Sequence, residues 1–282
     1  MQEVLLEALT DIDMLCRRHG LRYSLYCGTL LGAVREGAFI PWDDDADLMM
    51  PIGDARAFFR YAREELKDKY VVQDLANTPS HPWLWMRVFR KNTTYLRKDW
   101  TGLKVHHGIA VDIYPMIGVW PGKTGYRIQR TLLDLSKALR HIDYWNAAGY
   151  PEDRTQRRLG RILACIPAFI RRPLSILILK MAALSPEKAD KLCTLDGAPF
   201  VPKYDRKDWE SFRDIHFCGK NFLIPEAYDR LLTIMYGDYR TPPPEGKRKG
   251  HGEEYGGVII DTERDYRTYL SETQDRVTKE MP

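Results

Sequence analysis

Four aspartates in five residues stand directly before an apolar run in the segment Asp43–Met50, DDDADLMM. Alternation of acidic and apolar residues over 45–50 predicts a strand that is at least half buried. Carboxylates beside a buried strand repel one another and lose their hydration, so the fold must bring a positive charge to them. This requirement constrains the chain more than any other feature of its sequence.

A divalent cation is the compensation that the spacing favours. Residues i and i+2 of a strand point to the same side, so Asp45 and Asp47 are predicted to converge. Carboxylate oxygens of this kind suit Mg²⁺ or Mn²⁺. A calcium loop starting at Asp43 is excluded, because Leu48 and Asp54 stand where such a loop needs Gly and Glu. A plain acidic surface turn is disfavoured by the apolar neighbours.

A further acid lies inside a second apolar strand, predicted at 109–114. Burying an unpaired carboxylate there is costly, so Asp112 is expected to face a metal or another charge. It is the candidate third carboxylate of a metal-dependent transferase site, and the candidate base. The alternative is a salt bridge with a neighbouring Arg or Lys.

Gly28 and Thr29 stand between a strand predicted at 21–27 and a short helix that ends near Arg35. Glycine lets a ligand come close to the backbone, threonine supplies a hydroxyl, and the amides at a helix start favour anions. The pair is therefore a candidate phosphate-binding turn, although an ordinary turn has the same sequence.

The 282 residues fit one large domain with an insertion. Predicted helices at 2–19 and 54–68 and strands at 70–74, 84–90 and 109–114 make residues 1–122 an α/β core. Strand signals fade over 123–195, where basic and aliphatic residues alternate, which predicts a helical insertion or subdomain. Residues 196–282 are predicted to return to the core and to end in a loop-rich tail from Tyr239.

Composition removes several classes of function. A net charge of +4 is too small to indicate nucleic-acid binding without a clustered patch. The apolar stretches 162–170 and 174–184 are too short to span a bilayer. The scattered cysteines are typical of free thiols in a reducing compartment. The basic insertion is interpreted either as a helical cap with a solvated face, which we favour, or as a membrane-surface contact.

Three segments together indicate a family. A glycine turn, a carboxylate pair on a strand and a later third acid resemble the nucleotidyltransferase superfamily. The stretch 28–48, GTLLGAVREGAFIPWDDDADL, closely resembles the LicD family of phosphocholine transferases, and fukutin and fukutin-related protein carry a similar motif. The resemblance continues in VDIYP at 111–115 and YGDYRTPPPEGKR at 236–248.

The resemblance implies a fold, a reaction and a site. It implies an α/β (α+β) fold, with a nucleotidyltransferase-like mixed sheet flanked by helices. It implies transfer of a phospho-alcohol, phosphocholine first, from a CDP-linked donor to a sugar hydroxyl with release of CMP; the fukutin-type relatives transfer ribitol phosphate. Mg²⁺ (or Mn²⁺) is expected on Asp45, Asp47 and Asp112. Substrate phosphates are expected to contact Gly28, Thr29, Arg35, Lys247 and Arg248, with Asp44 joining the metal through water.

Some of these roles have open alternatives. Arg35 would otherwise pair with Asp43 or Asp44, and Lys247 and Arg248 would otherwise belong to a solvated tail. Tryptophans, such as those at 83, 85, 100 and 120, either form a cage for a quaternary ammonium group or belong to the core.

The expected partners are CDP-choline and a glycan, such as lipopolysaccharide or teichoic acid, or its lipid-linked precursor. Nucleic acid is not an expected partner. The expected location is the cytoplasm, at the inner face of the membrane. Two other functions share the metal site: transfer of NMP from an NTP, and nucleotide binding without catalysis. The presence of all three acids disfavours the last.

Overall fold

A mixed sheet of seven strands lies at the centre of the structure, a computed structural model that describes residues 1–185, 188–195, 204–254 and 257–271. The strands are β1 (Ser24–Leu25), β2 (Ala46–Pro51), β3 (Tyr70–Gln73), β4 (Met86–Arg90), β5 (Thr94–Arg97), β6 (Ala110–Gly118), β7 (Lys191–Thr194), β8 (Tyr204–Asp205), β9 (Phe212–Phe217), β10 (Lys220–Pro225) and β11 (Val258–Asp261). The helices are α1 (Gln2–Arg18), α2 (Cys27–Arg35), α3 (Ile52–Glu65), α4 (Gly122–Ala148), α5 (Arg154–Ala164), α6 (Ala168–Ala182), α7 (Tyr228–Tyr236) and α8 (His251–Glu254).

The main path of the sheet runs β1-β2-β6-β4-β3, and β7 and β8 continue from β6. Strands β2 and β6 are parallel, while the other neighbours in this sheet are antiparallel. Asp47 of β2 is the register partner of Asp112 of β6, and Arg87 of β4 is opposite Asp112 on the other side. A mixed sheet with flanking helices confirms the expected α/β (α+β) fold class. The sheet also brings two acids and one arginine into a single row.

Helices α1 and α3 cover the sheet with apolar residues at helical spacing. In α1 these are Leu5, Leu9, Ile12 and Cys16, all buried in the main core. Gly20 follows the helix with a φ of +62°, a conformation that glycine adopts without strain. The predicted helix over 2–19 is therefore confirmed to within a residue.

The segment predicted to be helical contains three helices and one strand. Helix α6 packs along α4, where the Ser136 hydroxyl donates to the Ser175 carbonyl at 2.9 Å. Strand β7 then returns to the sheet, inside the predicted range 123–195. Across the described ranges, no single helix is long and apolar enough to span a membrane; α5 and α6 pass that test only as a pair, bent by 114°.

The tail from Tyr239 contains more regular structure than the predicted loop, because β11 pairs with β5, which the sequence patterns did not reveal. Strands β9 and β10 form a hairpin before this tail, in the region predicted to return to the core. The strand predicted at 21–27 shortens to β1, because Cys27 has a φ of +44° and begins α2. Residues 196–203, 255–256 and 272–282, all within the predicted third segment, lie outside the described residues. The three predicted segment boundaries therefore stay predictions.

Candidate active site

Asp45 lies directly before the first residue of β2, and Asp47 is the second residue of that strand. The Asp47 side chain lies within the strand and is buried, whereas Asp45 precedes the strand and keeps 30% of its side chain exposed. Asp47 Oδ1 is buried and has no hydrogen-bond partner. The strand thus carries an unsatisfied carboxylate oxygen at its start, as the acid-rich pattern predicts.

Asp112 is held from two directions by β4 and the residues before it. Arg87 Nε donates to Asp112 Oδ1 at 2.6 Å, and Trp85 Nε1 donates to Asp112 Oδ2 at 2.8 Å. The salt bridge considered as an alternative for Asp112 is therefore present, and its partner is Arg87. Because Arg87 is itself buried, the pair is fixed in place rather than solvated.

Burial makes the charged form of these acids unfavourable. It raises the pKa of Asp47 well above its ordinary value, and the neighbouring charges of Asp45 and Asp112 raise it further. Burial also raises the pKa of Asp45, against the lowering effect of His251. The pKa of Asp112 is raised by burial despite the opposing effects of Arg87 and Trp85. The site therefore has an excess of negative charge that Arg87 compensates only in part.

Gly28 and Thr29 support the acid strand from behind. A Cβ atom at Gly28 would lie 2.6 Å from Asp43 Oδ2, so only glycine allows the acidic turn to approach here. The buried Thr29 hydroxyl accepts a hydrogen bond from the Asp47 amide at 2.9 Å. In this structure the threonine contact fixes where β2 starts, and the phosphate role of both residues stays a prediction.

Asp44 holds residues of the C-terminal region through both of its carboxylate oxygens. Its Oδ1 accepts from the His251 amide at 2.8 Å, and its Oδ2 accepts from the Gly252 amide at 2.7 Å and from the Tyr95 hydroxyl at 2.8 Å. A Cβ at Gly250 would meet Asp44 Cγ at 3.0 Å, which explains a small residue there. Both carboxylate oxygens of Asp44 are therefore used for fixing residues 250–252.

The basic candidates occupy different places. Arg35 pairs with Glu36 at 2.7 Å and donates to the Tyr239 carbonyl at 3.3 Å, rather than pairing with Asp43 or Asp44. The Arg248 guanidinium lies over the Trp42 ring, 5.3 Å from its centroid, and donates to the Pro243 carbonyl.

Lys247 is exposed and ends a short 3₁₀ turn. Beyond these two, His251 Nε2 comes within 3.5 Å of Asp45 Oδ2. The C-terminal region thus reaches the acids through His251.

A cavity of about 350 Å³ opens between the acids and a group of aromatic side chains. Asp45, Asp112 and His251 line one part of it, and the rest is lined mainly by Trp83, Trp85, Trp100, Tyr95, Tyr114, Tyr144, His141, Arg87 and Arg97. Gly28, Thr29 and Trp120 are not among the lining residues. The cavity therefore combines an acidic wall with an aromatic wall.

The aromatic wall is already arranged around positive charge. The Arg87 guanidinium lies 5.1 Å from the Trp83 centroid, and that of Arg97 lies 4.3 Å from the Trp100 centroid. Trp85 stacks on Tyr114 with centroids 5.3 Å apart. Both guanidinium groups rest on ring faces, an arrangement that cation–π attraction stabilises.

The donor set fits a divalent cation in chemistry and in charge. Asp47 offers an unpartnered buried oxygen, and Asp45 offers a partly exposed one beside it. Within the described part of the chain, no group of three or more His, Cys, Asp or Glu side chains is arranged to hold a metal alone. Mg²⁺ characteristically uses one or two carboxylates, with water and substrate phosphates as its other ligands, so this pair suits it.

Sequence patterns did not identify Arg87, Tyr95, His141 and Tyr144. Arg87 could have been identified from the sequence, because a basic residue in the apolar run 86–89 must find a buried acid. Tyr95 reaches Asp44 only through the pairing of distant segments. His141 and Tyr144 come from α4, which the sequence places in an insertion with no link to the site.

Comparison with known proteins identifies the family. A family model described as "LicD/FKTN/FKRP, nucleotidyltransferase domain" matches residues 20–138, which contain both acid strands. The two matches support the assignment of this chain to the LicD family. The lipopolysaccharide cholinephosphotransferase LicD of Haemophilus influenzae is 26% identical over 266 residues, which are 89% of this chain and 94% of that protein. The LicD resemblance of the sequence motifs is confirmed, and it indicates a transferase of the cholinephosphotransferase type.

Proposed function

We propose that this chain transfers phosphocholine from CDP-choline to a hydroxyl group of a glycan, such as lipopolysaccharide, teichoic acid or a lipid-linked precursor, and releases CMP. One observation carries the proposal: the carboxylates Asp45 and Asp112 and a group of aromatic rings line the same cavity. A diphosphate and a quaternary ammonium group, the two ends of a phosphocholine donor, need walls of these two kinds. The name of the Haemophilus relative, lipopolysaccharide cholinephosphotransferase, supports phosphocholine as the transferred group and lipopolysaccharide as the acceptor.

Asp45 and Asp47 are the proposed ligands of Mg²⁺ or Mn²⁺, because Asp47 provides an unpartnered buried oxygen and Asp45 provides a partly exposed carboxylate. Such an ion, when bound, neutralises diphosphate charge and polarises the phosphorus–oxygen bond to the leaving group. The chain's own part is to hold one buried and one partly exposed carboxylate close together before substrate arrives. Their mutual repulsion gives them a strong preference for a cation.

Asp112 is the proposed base. The acceptor hydroxyl gives its proton to Asp112, and the hydroxyl oxygen bonds to the phosphorus of phosphocholine. The bond from that phosphorus to the CMP oxygen breaks, and CMP leaves. Burial keeps the pKa of Asp112 above its ordinary value, which makes it a better proton acceptor than a solvated carboxylate. Arg87 and Trp85 hold the carboxylate oxygens in fixed directions. We therefore assign both as positioning residues.

The choline group is proposed to lie against Trp85, Tyr114 and Tyr144. These rings line the cavity; Trp85 and Tyr114 stack on each other, and Trp83 and Trp100 contact guanidinium groups. Each aromatic face adds about 0.5–2 kcal/mol to the binding of a cation. Of the four tryptophans considered for a cage, 83, 85 and 100 line the cavity and Trp120 does not.

A thermal-shift screen with Mg²⁺ tests the donor directly. CDP-choline is expected to stabilise the chain more than CDP-ribitol, CDP-glycerol or CTP, since only a matched donor uses both walls. Stabilisation by CTP alone would favour the nucleotidyltransferase alternative, and stabilisation without any release of CMP would favour a binding module. A Tyr144→Leu variant should lose the preference for CDP-choline over CDP-glycerol, while an Asp229→Asn control, far from the cavity, should keep it.

We propose the cytoplasmic face of the membrane as the location, because CDP-alcohols are made in the cytoplasm. This placement and the glycan acceptor rest on the LicD resemblance. Incorporation of labelled choline into isolated glycan by the purified chain would test the acceptor.

A further inference from the structure

The bent helix pair α5–α6 presents a row of large apolar side chains to solvent. We define the α5–α6 surface as Leu159, Ile162, Phe169, Ile170, Leu174, Leu177, Met181 and Leu184. Phe169 is 78% exposed and Leu184 is 75% exposed. Scattered exposed apolar residues are ordinary, but a contiguous group of this kind marks an interaction surface.

Helix α6 is apolar on the side that packs and on the side that does not. Its buried positions Arg171, Ser175, Ile178 and Ala182 recur every three or four residues and face the core. Ile170, Leu174, Leu177, Met181 and Leu184 recur with the same spacing on the outer side. A helix that only capped the core would carry polar residues at these outer positions. The outer apolar stripe therefore needs a second apolar environment.

Charged residues within 154–184 are all basic, although the exposed Glu152 and Asp153 directly precede Arg154. Residues 154–184 contain seven Arg or Lys residues and no Asp or Glu. Arg154, Arg158 and Arg161 are exposed on α5, while Arg171 and Arg172 pair with Asp143 of α4. Exposed cations beside exposed apolar side chains are the combination that binds anionic lipid headgroups and the acyl boundary beneath them.

The geometry suits a helix pair that lies on a bilayer. Helix α6 has 15 residues and is therefore about 22 Å long, which is shorter than the roughly 30 Å of a bilayer's apolar core. The 114° bend between the two helices turns the chain at Cys165–Pro167. Phe169 lies directly after this bend, at the most exposed point of the surface.

We propose that the α5–α6 surface docks on the anionic surface of a phospholipid bilayer, with its apolar side chains in the acyl boundary and the α5 arginines at the headgroups. The buried side of α6 is fixed to α4, where Arg171 donates to the Leu139 carbonyl at 2.9 Å. The same helix α4 supplies His141 and Tyr144 to the cavity. Docking therefore fixes the active-site cavity one helix away from the membrane.

Vesicle flotation tests the docking with the full chain. Vesicles of 30% phosphatidylglycerol in phosphatidylcholine are compared with pure phosphatidylcholine at low salt. Wild type should bind the anionic vesicles at least about tenfold more tightly. Phe169→Ser with Leu177→Ser should weaken binding at least about tenfold, because two side chains no longer enter the acyl boundary. Arg154→Gln, Arg158→Gln and Arg161→Gln together should weaken it roughly 100-fold, since each basic group near the surface contributes about fivefold.

Matched controls replace residues of similar exposure elsewhere. Met14→Ser with Ile234→Ser removes apolar side chains that are 49% and 37% exposed on α1 and α7, and should leave binding unchanged. Lys67→Gln, Arg213→Gln and Lys220→Gln together remove three exposed charges away from the surface. Circular dichroism melts confirm that each variant is folded.

A second readout leaves all eight apolar side chains of the α5–α6 surface in place. An environment-sensitive dye on the exposed thiol of Cys165, in a Cys218→Ser background, should shift to shorter wavelength with anionic vesicles. No flotation of wild type at low salt would overturn the proposal, as would equal weakening by the control variants. A dimer that Phe169→Ser with Leu177→Ser dissolves, without vesicle binding by wild type, would show that the surface joins two copies instead. Transfer to a soluble acceptor is unaffected in every case, so this outcome is separate from the proposed function.

Discussion

Replacing Asp47 with Asn should stabilise the metal-free protein while removing its response to Mg²⁺. Asp47 and Asp112 are register partners on parallel strands, which lie about 4.8 Å apart. Two unit charges at that separation repel by about 3 kcal/mol at an effective dielectric constant of 20. Arg87 offsets part of this repulsion through Asp112, so we expect a net gain of about 1–2 kcal/mol in the free energy of unfolding at pH 8. The corresponding rise in melting temperature is roughly 2–8 °C, at about 2–4 °C per kcal/mol.

In Mg²⁺, wild type should become more stable than the Asp47→Asn variant. At a concentration 100 times its dissociation constant, an ion that binds only the folded state stabilises wild type by about 2.7 kcal/mol. The Asn variant lacks one ligand charge and should gain little. Urea unfolding at pH 8, with EDTA and then with Mg²⁺, measures both effects.

The matched control is Asp13→Asn. Asp13 is also a buried acid, but its neighbours are hydrogen-bond donors rather than other carboxylates. Asp13 accepts from Arg17 Nε at 2.7 Å and from the Tyr23 hydroxyl at 2.5 Å. Its replacement should therefore destabilise the protein by about 1–3 kcal/mol, with or without Mg²⁺. If Asp47→Asn loses as much stability as this control in EDTA, or gains as much from Mg²⁺ as wild type, the electrostatic account of the site is wrong.

Three further substitutions test the surroundings of the acids. Arg87→Gln should cost about 3–5 kcal/mol in urea unfolding by leaving Asp112 unpaired in the interior, and adding Asp112→Asn should recover part of that loss; additive losses would contradict the buried pair. Asp44→Ala should expose the chain near residue 250 to limited proteolysis while leaving the Mg²⁺ dissociation constant unchanged, and a tenfold weaker constant would instead support a role in the metal shell. His81 is held neutral by burial, which lowers its pKa to about 3, so the unfolded chain takes up a proton first as the pH falls below about 6.5. Its contribution to stability is complete above that pH and falls by about 2 kcal/mol between pH 7 and pH 5, and His81→Gln should flatten the measured slope by this amount.

Much of the site follows from local patterns. Asp47 and Asp112 are acids inside apolar strands, and the energetic cost of burying them predicts that they find charged partners. Asp112 meets this expectation through Arg87, its register partner on β4, whereas Asp47 Oδ1 has no hydrogen-bond partner. Gly28 was identified as a position that needs glycine, although the group that approaches it is the Asp43 carboxylate rather than a ligand atom.

The contacts that escaped prediction join segments far apart in the chain. Asp44 is expected from the family resemblance to join the metal through water, which stays a prediction; its backbone partners, 207 and 208 residues later, have no local signal. Arg35 has no local signal for its contact with the Tyr239 carbonyl, 204 residues away. Pairing of β5 with β11 depends on the same distant return, since neither strand has a strong alternating pattern. Local propensity cannot report such pairings, because their free energy arises only when the two segments meet.

The link between Asp44 and residues 251–252 also has a consequence for synthesis. During translation the acidic turn emerges more than 200 residues before the amides that bind Asp44 exist. At roughly 5–20 residues per second, that interval is about 10–40 seconds. Throughout it, a nascent chain carries the Asp44 carboxylate, within a cluster of four acids, without its final backbone donors. Dissolved cations are the counter-charge available to such a chain during that interval.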